Sequence, residues 1–417
     1  MSGTAALSAL GANDRVNIAV IGVGGRGADH VRSIARQPNA RVAAVCDVNQ
    51  AQTERAVALT EKVQNSKPKV YEDMRKVFED KDIDAVSIAT PNHWHALATI
   101  WACEAGKDVY CEKPACYNIW EGQRMVAAAR KNKRMVQIGM QSRSTQHKIR
   151  AMQLLKDGAI GKLYLAKGLC FKRRVSIGHT PDEPVPAGVN WDLFLGPAAM
   201  TPYSKNRHVY NWHWFWNTGN GDIGNQGIHE MDIARWGLGV GLPIGGMSSG
   251  GKYVYTDDQE TPNTQMATLD YGASEVMFEV RGLPTGGEAD IVPSGPNFVG
   301  NLFYGENGYM AVDHVGFRIY LGPRREAGES MKAVEQSDAT VAHFANFIDA
   351  IKSRRHEDLK GDVAIGVDSV TLVHIANISY RLGRKVAFDP KSQTFTGDAE
   401  ANRMKTRNPY RAPYIVS

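Results

Sequence analysis

The chain has 417 residues, 43% of them hydrophobic and 22% charged, which is enough apolar material to fill the cores of two domains and excludes a disordered protein. The net charge of +5 is small, and we interpret the one basic cluster, near the C-terminus, as a solvated arm, so we expect no nucleic-acid partner. The sequence has no uninterrupted apolar run of about 18 residues, so we expect no membrane-spanning segment.

The first 14 residues are small and apolar and carry no basic segment. They are consistent with an ordinary N-terminal arm or with the remainder of a trimmed twin-arginine export signal. The five cysteines lack the spacing of a zinc site and lie mostly in apolar runs, which predicts free thiols and folding in a reducing compartment. Because twin-arginine export carries folded proteins, the sequence leaves both a cytoplasmic and a periplasmic location open.

Between residues 15 and 140, short apolar runs alternate with segments of helical periodicity. This alternation predicts a doubly wound domain in which crossover helices cover a parallel sheet. The predicted strands are residues 16–21, 41–46, 85–88, 108–111 and 135–138, and the predicted helices are residues 28–37, 50–64, 74–79, 95–105 and 119–131.

The first of these strands runs into a glycine-rich turn with the spacing Gly22-x-Gly24-x-x-Gly27. In a dinucleotide-binding turn the first glycine permits the tight bend, the second lets the backbone approach a pyrophosphate, and the third lets the helix pack on the strand. The N-terminus of that helix attracts the anion. Asp47 follows the second strand, where a carboxylate accepts hydrogen bonds from a ribose and repels a 2′-phosphate. The pattern predicts NAD as the cofactor, with NADP as the alternative.

After residue 140 the strand candidates are short, often alternating, and separated by Gly and Pro, which predicts a second domain, residues 141–385, with a mostly antiparallel sheet. The predicted strands are residues 162–171, 251–255, 265–271, 274–281, 308–313 and 318–321, and a loop-rich aromatic stretch covers residues 173–218. Helices are predicted at 145–157, 340–353 and 363–382, the last two covering a face of the sheet. Residues 386–417 have no periodicity and are predicted to form an extended arm.

Ligands bind at the carboxyl ends of the strands in open parallel sheets, so the loop after strand 85–88 should contact the dinucleotide. Thr90, Pro91 and Asn92 are its candidate contacts. His93 and His95 are two residues apart, but no third ligand accompanies them, so we expect them to line or cap the loop rather than to bind a metal.

Lys113 follows strand 108–111 and stands beside Glu112. Such pairs are usually surface features, but this one falls where a nicotinamide ring is expected. There an ammonium can donate a hydrogen bond to a substrate oxygen and stabilise the alkoxide that forms as hydride leaves. Burial and the positive nicotinamide ring would both lower the pKa of this ammonium and favour proton exchange.

Residues 211–232 place three tryptophans within five residues ahead of a glycine-rich run. Because polar residues separate the tryptophans, we favour a surface that stacks on a ring-shaped polar ligand over core packing. From Asn225 onward the spacing predicts a helix that places Asn225 and His229 on one face as residues i and i+4. A histidine is the natural base for a secondary alcohol near neutral pH, and a purely structural role for His229 is the alternative.

The glycine turn, the Glu112-Lys113-Pro114 loop and the glycine-rich run that ends in His229 together resemble the glucose–fructose oxidoreductase / inositol dehydrogenase / MocA family, over roughly residues 15 to 385. The resemblance implies a Rossmann domain followed by an α/β domain whose open, mostly antiparallel sheet forms oligomer contacts, so we expect a homodimer or homotetramer. It also implies that Lys113 and His229 are catalytic. Residues 191–197 look like a signature of a sugar-associated bacterial branch of the family.

One residue departs from the family pattern, because Asn225 stands where the family has an aspartate four residues before the histidine. Asparagine can orient a hydroxyl or an imidazole but cannot supply negative charge. Either Asp222 supplies that charge or His229 acts without it.

These patterns predict Lys113, His229 and Asn225 as catalytic residues and predict no metal site. The predicted cofactor contacts are Gly22, Val23, Gly24, Gly25, Arg26, Gly27, Asp47, Val48, Thr90, Pro91, Asn92, His95, Glu112, Lys113 and Gln141. The predicted substrate contacts are Arg207, His208, Tyr210, Trp212, Trp214, Asp222 and His229.

Three functions are compatible with these residues. The first is an NAD-dependent oxidoreductase that acts on a secondary alcohol of a sugar, polyol or glycoside. The second is a glycosidase that oxidises its sugar with a retained NAD, eliminates the leaving group and then reduces the product, which needs no pair of catalytic carboxylates. The third is a non-catalytic sensor of a sugar or dinucleotide.

Overall fold

The computed structural model describes residues 15–288, 290–334 and 338–416. Residues 1–14, predicted as an arm or a signal remnant, lie outside the described residues. Two sheets organise the described chain: one of six strands within the predicted first domain, and one of ten strands that begins after it.

The six-stranded sheet is parallel and has the strand order β3-β2-β1-β4-β5-β6. Its central strands are continuous apolar runs because helices cover both faces of the sheet. The order reverses between β1 and β4, so the carboxyl ends of these two strands flank the crevice in which such sheets bind ligands. The strands are β1 (Val16–Ile21), β2 (Ala40–Cys46), β3 (Lys69–Tyr71), β4 (Ala85–Ile88), β5 (Asp108–Cys111) and β6 (Val136–Ile138), and the helices are α1 (Gly25–Ala35), α2 (Gln50–Gln64), α3 (Met74–Glu79), α4 (His95–Glu104) and α5 (Ile119–Lys131).

All five predicted strands and all five predicted helices of this domain are confirmed, with small shifts at their ends. Helix α1 begins at Gly25, three residues before the predicted start, because the glycine turn itself forms the first helical residues. Strand β3 is not predicted by the sequence, since its three residues lie at the sheet edge with largely exposed side chains and form no apolar run.

The ten-stranded sheet has the order β14-β13-β12-β11-β7-β10-β9-β8-β15-β16. Neighbouring strands are antiparallel except for β7 and β10, so the mostly antiparallel architecture is confirmed. The strands are β7 (Leu163–Phe171), β8 (Gly245–Gly251), β9 (Thr264–Asp270), β10 (Glu275–Arg281), β11 (Phe298–Gly305), β12 (Gly308–Val312), β13 (Gly316–Leu321), β14 (Glu326–Lys332), β15 (Val386–Asp389) and β16 (Thr394–Phe395). The helices are α6 (Gln146–Lys156), α7 (Trp191–Leu195), α8 (Gly221–Asn225), α9 (Gly227–Leu238), α10 (Ala339–Ser353), α11 (Val363–Leu382) and α12 (Ala399–Arg403).

The predicted strand 251–255 is wrong, because the strand in this region is β8, which ends at Gly251. Its residues, GGMSSGG, lack the branched and aromatic side chains that identify strands in a sequence, yet they pair with β9 over their whole length. Strands β11 and β14 are likewise not predicted. Pairing with neighbouring strands overrides weak local preference here.

Helix α10 was predicted to cover the antiparallel sheet but packs on the Rossmann domain instead. Phe344 stacks on Tyr110 of β5 with 4.0 Å between ring centroids, and Phe347 joins the same core. Helix α11 contacts both β8 and α5 and so connects the two domains. By length and composition α11 could cross a membrane, but 78% of its apolar window is buried inside the structure, as in the core helix of a globular protein.

The segment after residue 385, predicted as an extended arm, belongs to the fold. Strand β15 pairs with β8 and extends the large sheet. Arg411, a member of the basic cluster that was expected to be solvated, donates a hydrogen bond to the carbonyl oxygen of Gly196 and pairs with Asp192. The ring of Tyr414 packs edge-on against Trp94. The C-terminal segment therefore ties the loop after α7 to the Rossmann domain.

Cys46, Cys103, Cys111, Cys116 and Cys170 are all free and buried, which confirms the predicted thiols. Burial raises the pKa of each thiol, that of Cys103 to about 12, so little thiolate forms at neutral pH. We expect the native protein to resist iodoacetamide and the guanidinium-unfolded protein to react at all five positions, counted by intact mass. Rapid alkylation of any cysteine in the native protein would contradict this account.

Candidate cofactor and active site

The glycine turn between β1 and α1 has the geometry that a dinucleotide site requires. Gly22 has a φ of +79°, a conformation that side chains rarely adopt. A Cβ on Gly27 would lie 1.9 Å from the carbonyl oxygen of Gly22, so only glycine lets α1 approach the strand. A Cβ on Gly24 would meet no atom within 4 Å, which leaves free space above the turn.

Asp47 stands at the carboxyl end of β2, beside the glycine turn. Its carboxylate accepts hydrogen bonds from the backbone N–H of Val23 at 2.8 Å and of Asn49 at 2.9 Å. Burial raises the pKa of Asp47, and these two hydrogen bonds oppose that shift. Val23, predicted as a cofactor contact, thus positions Asp47 through its N–H.

A cavity of about 430 Å³, called here the cofactor cavity, lies between the glycine turn and residues 208–213 of the second domain, called here the aromatic loop. Fourteen of the predicted site residues line it, so predicted cofactor contacts and predicted substrate contacts share one cavity. They are Gly22, Gly24, Gly25, Arg26, Asp47, Val48, Thr90, Pro91, Glu112, Lys113, His208, Tyr210, Trp212 and Asn225.

Glu112 is buried and joins three parts of this site. Its Oε1 accepts hydrogen bonds from Arg26 Nε at 2.8 Å, from His30 Nε2 at 2.9 Å and from Gln141 Nε2 at 2.9 Å. Although burial opposes ionisation, Arg26 and His30 hold the pKa of Glu112 well below its usual value. Gln141 was predicted to contact the cofactor, but it does not line the cofactor cavity and instead holds Glu112 in place.

Lys113 follows β5 directly, and its ammonium points across the cofactor cavity toward the second domain. Its Nζ donates a hydrogen bond to the carbonyl oxygen of Asn225 at 2.7 Å and lies 3.4 Å from the Oδ1 of the same residue. Burial lowers the pKa of Lys113, and Glu112 opposes that shift. The structure therefore brings the predicted Lys113 and Asn225 together in one site.

The loop after β4 splits into residues that line the cavity and residues that support it. Thr90 and Pro91 line it, whereas the side chain of Asn92 donates a hydrogen bond to Asn220. His95 hydrogen-bonds to two backbone carbonyl oxygens, those of Thr90 and Pro114, and so connects the loop after β4 to the loop after β5. It does not line the cofactor cavity.

His93 is buried and hydrogen-bonds to the backbone carbonyl oxygens of Thr218 and Phe194. Within the described residues, no cluster of three or more His, Cys, Asp or Glu side chains could hold a metal ion. Because Thr218 and Phe194 belong to the second domain, the two hydrogen bonds of His93 connect the Rossmann domain to it.

The helix predicted from Asn225 onward is divided into α8 and α9 at Gln226, although Gln226 itself keeps a right-handed helical backbone conformation. His229 does not line the cofactor cavity. It lines a separate cavity of about 370 Å³, called here the histidine cavity, together with Gln141, Lys172 and Gln226. Burial lowers the pKa of His229 to about 3, and the positive charge of Lys113 makes the second-largest contribution.

Asp222 cannot act as a free carboxylate beside His229. Arg174 binds both of its oxygens, at distances of 2.7 and 3.0 Å, and Asn225 Nδ2 lies 3.3 Å from one of them. Arg174 was missed by the sequence analysis because nothing in its loop distinguishes it from a surface arginine.

The predicted aromatic surface is divided by the fold. His208, Tyr210 and Trp212 line the cofactor cavity, whereas Trp214 is buried in the protein. Arg207 pairs with Asp182 outside the cavity. His213, to which the sequence analysis assigned no role, lines the cofactor cavity beside the predicted residues; its position within an alternating aromatic run was the only available signal.

A strap, residues 185–190, crosses from the second domain to the ribose end of the cofactor cavity, and no pattern in its residues predicts this. The carbonyl oxygen of Gly188 accepts a hydrogen bond from Gln50 N, and Asn190 N donates to the carbonyl oxygen of Val48, both at 2.8 Å. Asn190 Nδ2 also donates to the carboxylate of Glu72 at 2.9 Å. Asp47 lines both the cofactor cavity and a cavity of about 620 Å³ beside the strap.

The donor set fits a dinucleotide. The open space above Gly24 admits a pyrophosphate, the N-terminus of α1 offers N–H groups to it, and Asp47 can accept hydrogen bonds from a ribose. Lys113 and Asn225 line the same cavity.

Alanine substitutions at two glycines of the turn should separate folding from cofactor binding. Gly24→Ala should leave the melting temperature unchanged but weaken NAD binding at least about tenfold, since the methyl group occupies the free space. Gly27→Ala should lower the melting temperature because its Cβ collides with the Gly22 carbonyl. Thermal unfolding and calorimetric NAD titration measure both effects. Unaltered NAD affinity in Gly24→Ala would refute the placement of the pyrophosphate.

Solved structures of similar fold include the WlbA dehydrogenase of Bordetella pertussis in complex with NADH and UDP-GlcNAcA (TM-score 0.66, 18% identity, 90% of this chain and 99% of that chain). The aldose–aldose oxidoreductase of Caulobacter crescentus complexed with glycerol has a TM-score of 0.66 and 19% identity, over 90% of this chain and all of the other. At this level of identity these similarities establish the fold.

Among curated proteins, the inositol 2-dehydrogenase of Salmonella typhimurium is 32% identical over 172 residues, 41% of this chain and 49% of that protein. The uncharacterized oxidoreductase YrbE of Bacillus subtilis is 32% identical over 53% of each chain. A glycosyl hydrolase family 109 protein of Shewanella sp. (strain W3-18-1) is 30% identical over 36% of this chain and 34% of that protein. The chain thus spans about half the length or less of these relatives.

Two family models cover most of the chain. The oxidoreductase family model for the NAD-binding Rossmann fold matches residues 16–140, and the model for the C-terminal alpha/beta domain of the same oxidoreductase family matches residues 164–241 and 305–416. The cofactor implied by the site geometry and by the family is the same, NAD. The chain belongs to the glucose–fructose oxidoreductase / inositol dehydrogenase / MocA family of NAD-binding oxidoreductases.

Proposed function

We propose that this protein is an NAD-dependent oxidoreductase that acts on a secondary alcohol of a sugar, polyol or glycoside. The observation that carries the proposal is the shared cavity: the ammonium of Lys113 and the dinucleotide turn line the same 430 Å³ space. The names of relatives support the substrate class, since one is an inositol 2-dehydrogenase and a structural neighbour was crystallised with a nucleotide sugar acid.

When bound, NAD supplies a hydride acceptor and donor at the nicotinamide ring. Lys113 donates a hydrogen bond to the substrate oxygen and stabilises the negative charge that develops there. Its hydrogen bond to the Asn225 carbonyl fixes the direction of the ammonium before substrate arrives. Because burial lowers its pKa, Lys113 also exchanges a proton more readily than a solvated lysine.

A neutral imidazole takes the hydroxyl proton. His229 is the residue to which the family resemblance assigns that task, and its lowered pKa keeps the ring neutral at pH 7. Because Arg174 binds both oxygens of Asp222 and Asn225 carries no charge, neither residue offers a free carboxylate to His229. The acid–base step thus differs from one assisted by an aspartate.

The preference for NAD over NADP rests on Asp47. Its carboxylate is held at the ribose end of the cavity by two backbone N–H groups, where it would repel a 2′-phosphate. The aromatic loop forms the opposite wall, where Tyr210 and Trp212 provide surfaces on which a sugar ring can stack.

Lys113→Ala should lower kcat at least about 100-fold, because the charge on the substrate oxygen loses its donor. The dissociation constant of NAD should stay within about threefold of the wild-type value, since the glycine turn is untouched. NADH formation with myo-inositol, hexoses and 4-nitrophenyl glycosides measures the first effect, and calorimetry measures the second.

Lys76→Ala, which removes an exposed lysine of α3, is the matched control and should behave as wild type. Wild-type turnover in Lys113→Ala would refute the role of this lysine. A protein that binds NAD but oxidises none of these compounds would instead indicate a sensor.

The strap favours a second candidate function, the redox-assisted glycosidase. A hydrogen bond from Gln50 N and two hydrogen bonds that Asn190 donates, to Val48 and to Glu72, hold the strap beside the ribose end of the cavity and would retard release of the dinucleotide. An enzyme that oxidises and then reduces its own substrate needs a retained cofactor, whereas a dehydrogenase must exchange it. A family 109 glycosyl hydrolase is among the relatives.

Under this candidate function, NAD should copurify with the native protein and should be released only on denaturation, as mass spectrometry of both forms would reveal. 4-Nitrophenol should be freed from a 4-nitrophenyl glycoside without net NADH formation. Glu72→Ala removes the acceptor of the Asn190 side chain and should speed NAD loss during dialysis. A protein that is purified free of NAD and produces stoichiometric NADH would favour the plain dehydrogenase.

A further inference from the structure

His213 lies in the aromatic loop, in the cavity that also contains Lys113. We infer that His213 is the acid–base group that exchanges the proton of the substrate hydroxyl on this side of the site. The inference rests on the proposed function, because it names the proton acceptor of that same reaction. It adds a residue that neither the family resemblance nor the sequence pattern assigns.

The hydrogen bonds of His213 fix its tautomer. Nδ1 lies 2.6 Å from the carbonyl oxygen of Tyr210, and since a carbonyl oxygen can only accept, Nδ1 carries the hydrogen. Nε2 of the neutral ring then keeps its lone pair, and within the described part of the chain no group hydrogen-bonds to it. An imidazole anchored at one nitrogen and free at the other is the arrangement that accepts a proton from an alcohol.

Neighbouring rings hold this imidazole in position. Trp212 stacks on it with 3.6 Å between ring centroids and 21° between planes, and the ring of Tyr210 lies 4.7 Å away. Because the ring is already oriented, binding of a substrate does not have to restrict its rotation. The alternation of aromatic and polar residues in this loop thus serves to position a titratable group.

The two cavities distinguish His213 from His229. His213 shares the cofactor cavity with Lys113, whereas His229 lines the histidine cavity. Burial, followed by the charge of Lys113, lowers the pKa of His213 to about 3, so the ring is neutral at pH 7. Hydride transfer to the oxidised cofactor removes a positive charge from the same cavity, which raises the proton affinity of the ring as the reaction proceeds.

In oxidation of the alcohol, the O–H bond of the substrate breaks and its proton goes to Nε2 of His213. The carbinol C–H bond breaks, its electron pair leaves with the hydrogen as hydride to oxidised nicotinamide, and the carbonyl double bond forms. The alcohol loses two electrons, the cofactor gains them, and His213 later returns its proton to solvent. Reduction is the reverse.

Two substitutions separate the proton-transfer role from a structural one. His213→Asn can still donate a hydrogen bond to the Tyr210 carbonyl but has nothing in the place of Nε2, whereas His213→Gln places an amide near that position. For both variants we expect kcat to fall by roughly 10²–10⁴-fold, the usual contribution of a general base. The melting temperature and the dissociation constant of NAD should remain those of the wild type.

A second readout begins with the ligand-free protein and at that stage needs neither turnover nor cofactor. In ¹⁵N-histidine NMR spectra of the ligand-free wild-type protein, the signals lost in His213→Asn should report protonated Nδ1 and unprotonated Nε2. Adding myo-inositol to the NAD-loaded protein should then shift the Nε2 signal.

The outcomes distinguish this inference from the proposed function. If His213→Asn keeps kcat within about threefold of wild type while His229→Asn loses about 100-fold or more, His229 is the base and the inference is overturned, but the proposed function stands. An Nε2-protonated tautomer would also overturn the inference. If Lys113→Ala turns over like wild type, or if no NADH forms with any compound tested, the proposed function itself fails.

Discussion

The site depends on one buried carboxylate. Glu112 lies at the end of β5, almost fully removed from water, and its Oε1 accepts hydrogen bonds from Arg26 in the glycine-turn helix, from His30 one turn later and from Gln141 after β6. A buried charge is tolerated only when it is paired and hydrogen-bonded, so this carboxylate requires all three partners in place. It thereby fixes the turn that approaches the pyrophosphate relative to the strand that carries Lys113.

Lys113 stands where the two domains meet. Its backbone belongs to the Rossmann sheet, while its ammonium is held by the carbonyl oxygen of Asn225 in the second domain. One hydrogen bond of 2.7 Å therefore connects the end of the Rossmann strand to the second domain at the cofactor cavity. His93 and Asn92, which connect to Thr218 and Asn220, reinforce the same junction.

The asparagine at position 225 places an uncharged side chain beside Lys113. Since Arg174 neutralises Asp222, neither histidine near Lys113 has a free carboxylate partner. Both rings stay neutral, and their pKa values lie far below that of a solvated imidazole because they are buried near an ammonium. We therefore expect proton transfer to depend on the charges of the cofactor and the substrate oxygen, which change during the reaction. A carboxylate that permanently polarises a histidine is not needed in this account.

The sequence by itself determined the Rossmann half and the cofactor turn. Continuous apolar strands, helical periodicity and fixed glycine spacing are local properties, and each is dictated by sheet burial or by a backbone conformation that only glycine adopts. For the same reason Asp47 and Lys113 could be assigned from their positions at strand ends. Family resemblance extended the prediction to His229 but did not place its side chain.

Other features of the site and the fold depend on contacts between different segments, and only the tertiary structure decided them. Asn225 lines the cofactor cavity and His229 lines the histidine cavity, a division that no local pattern encodes. Strand β8 has weak strand preference and exists because β9 and β15 pair with it. The strap at residues 185–190 and the carbonyl that anchors His213 are likewise fixed by long-range or loop geometry, since backbone hydrogen bonds carry no side-chain signature in the sequence.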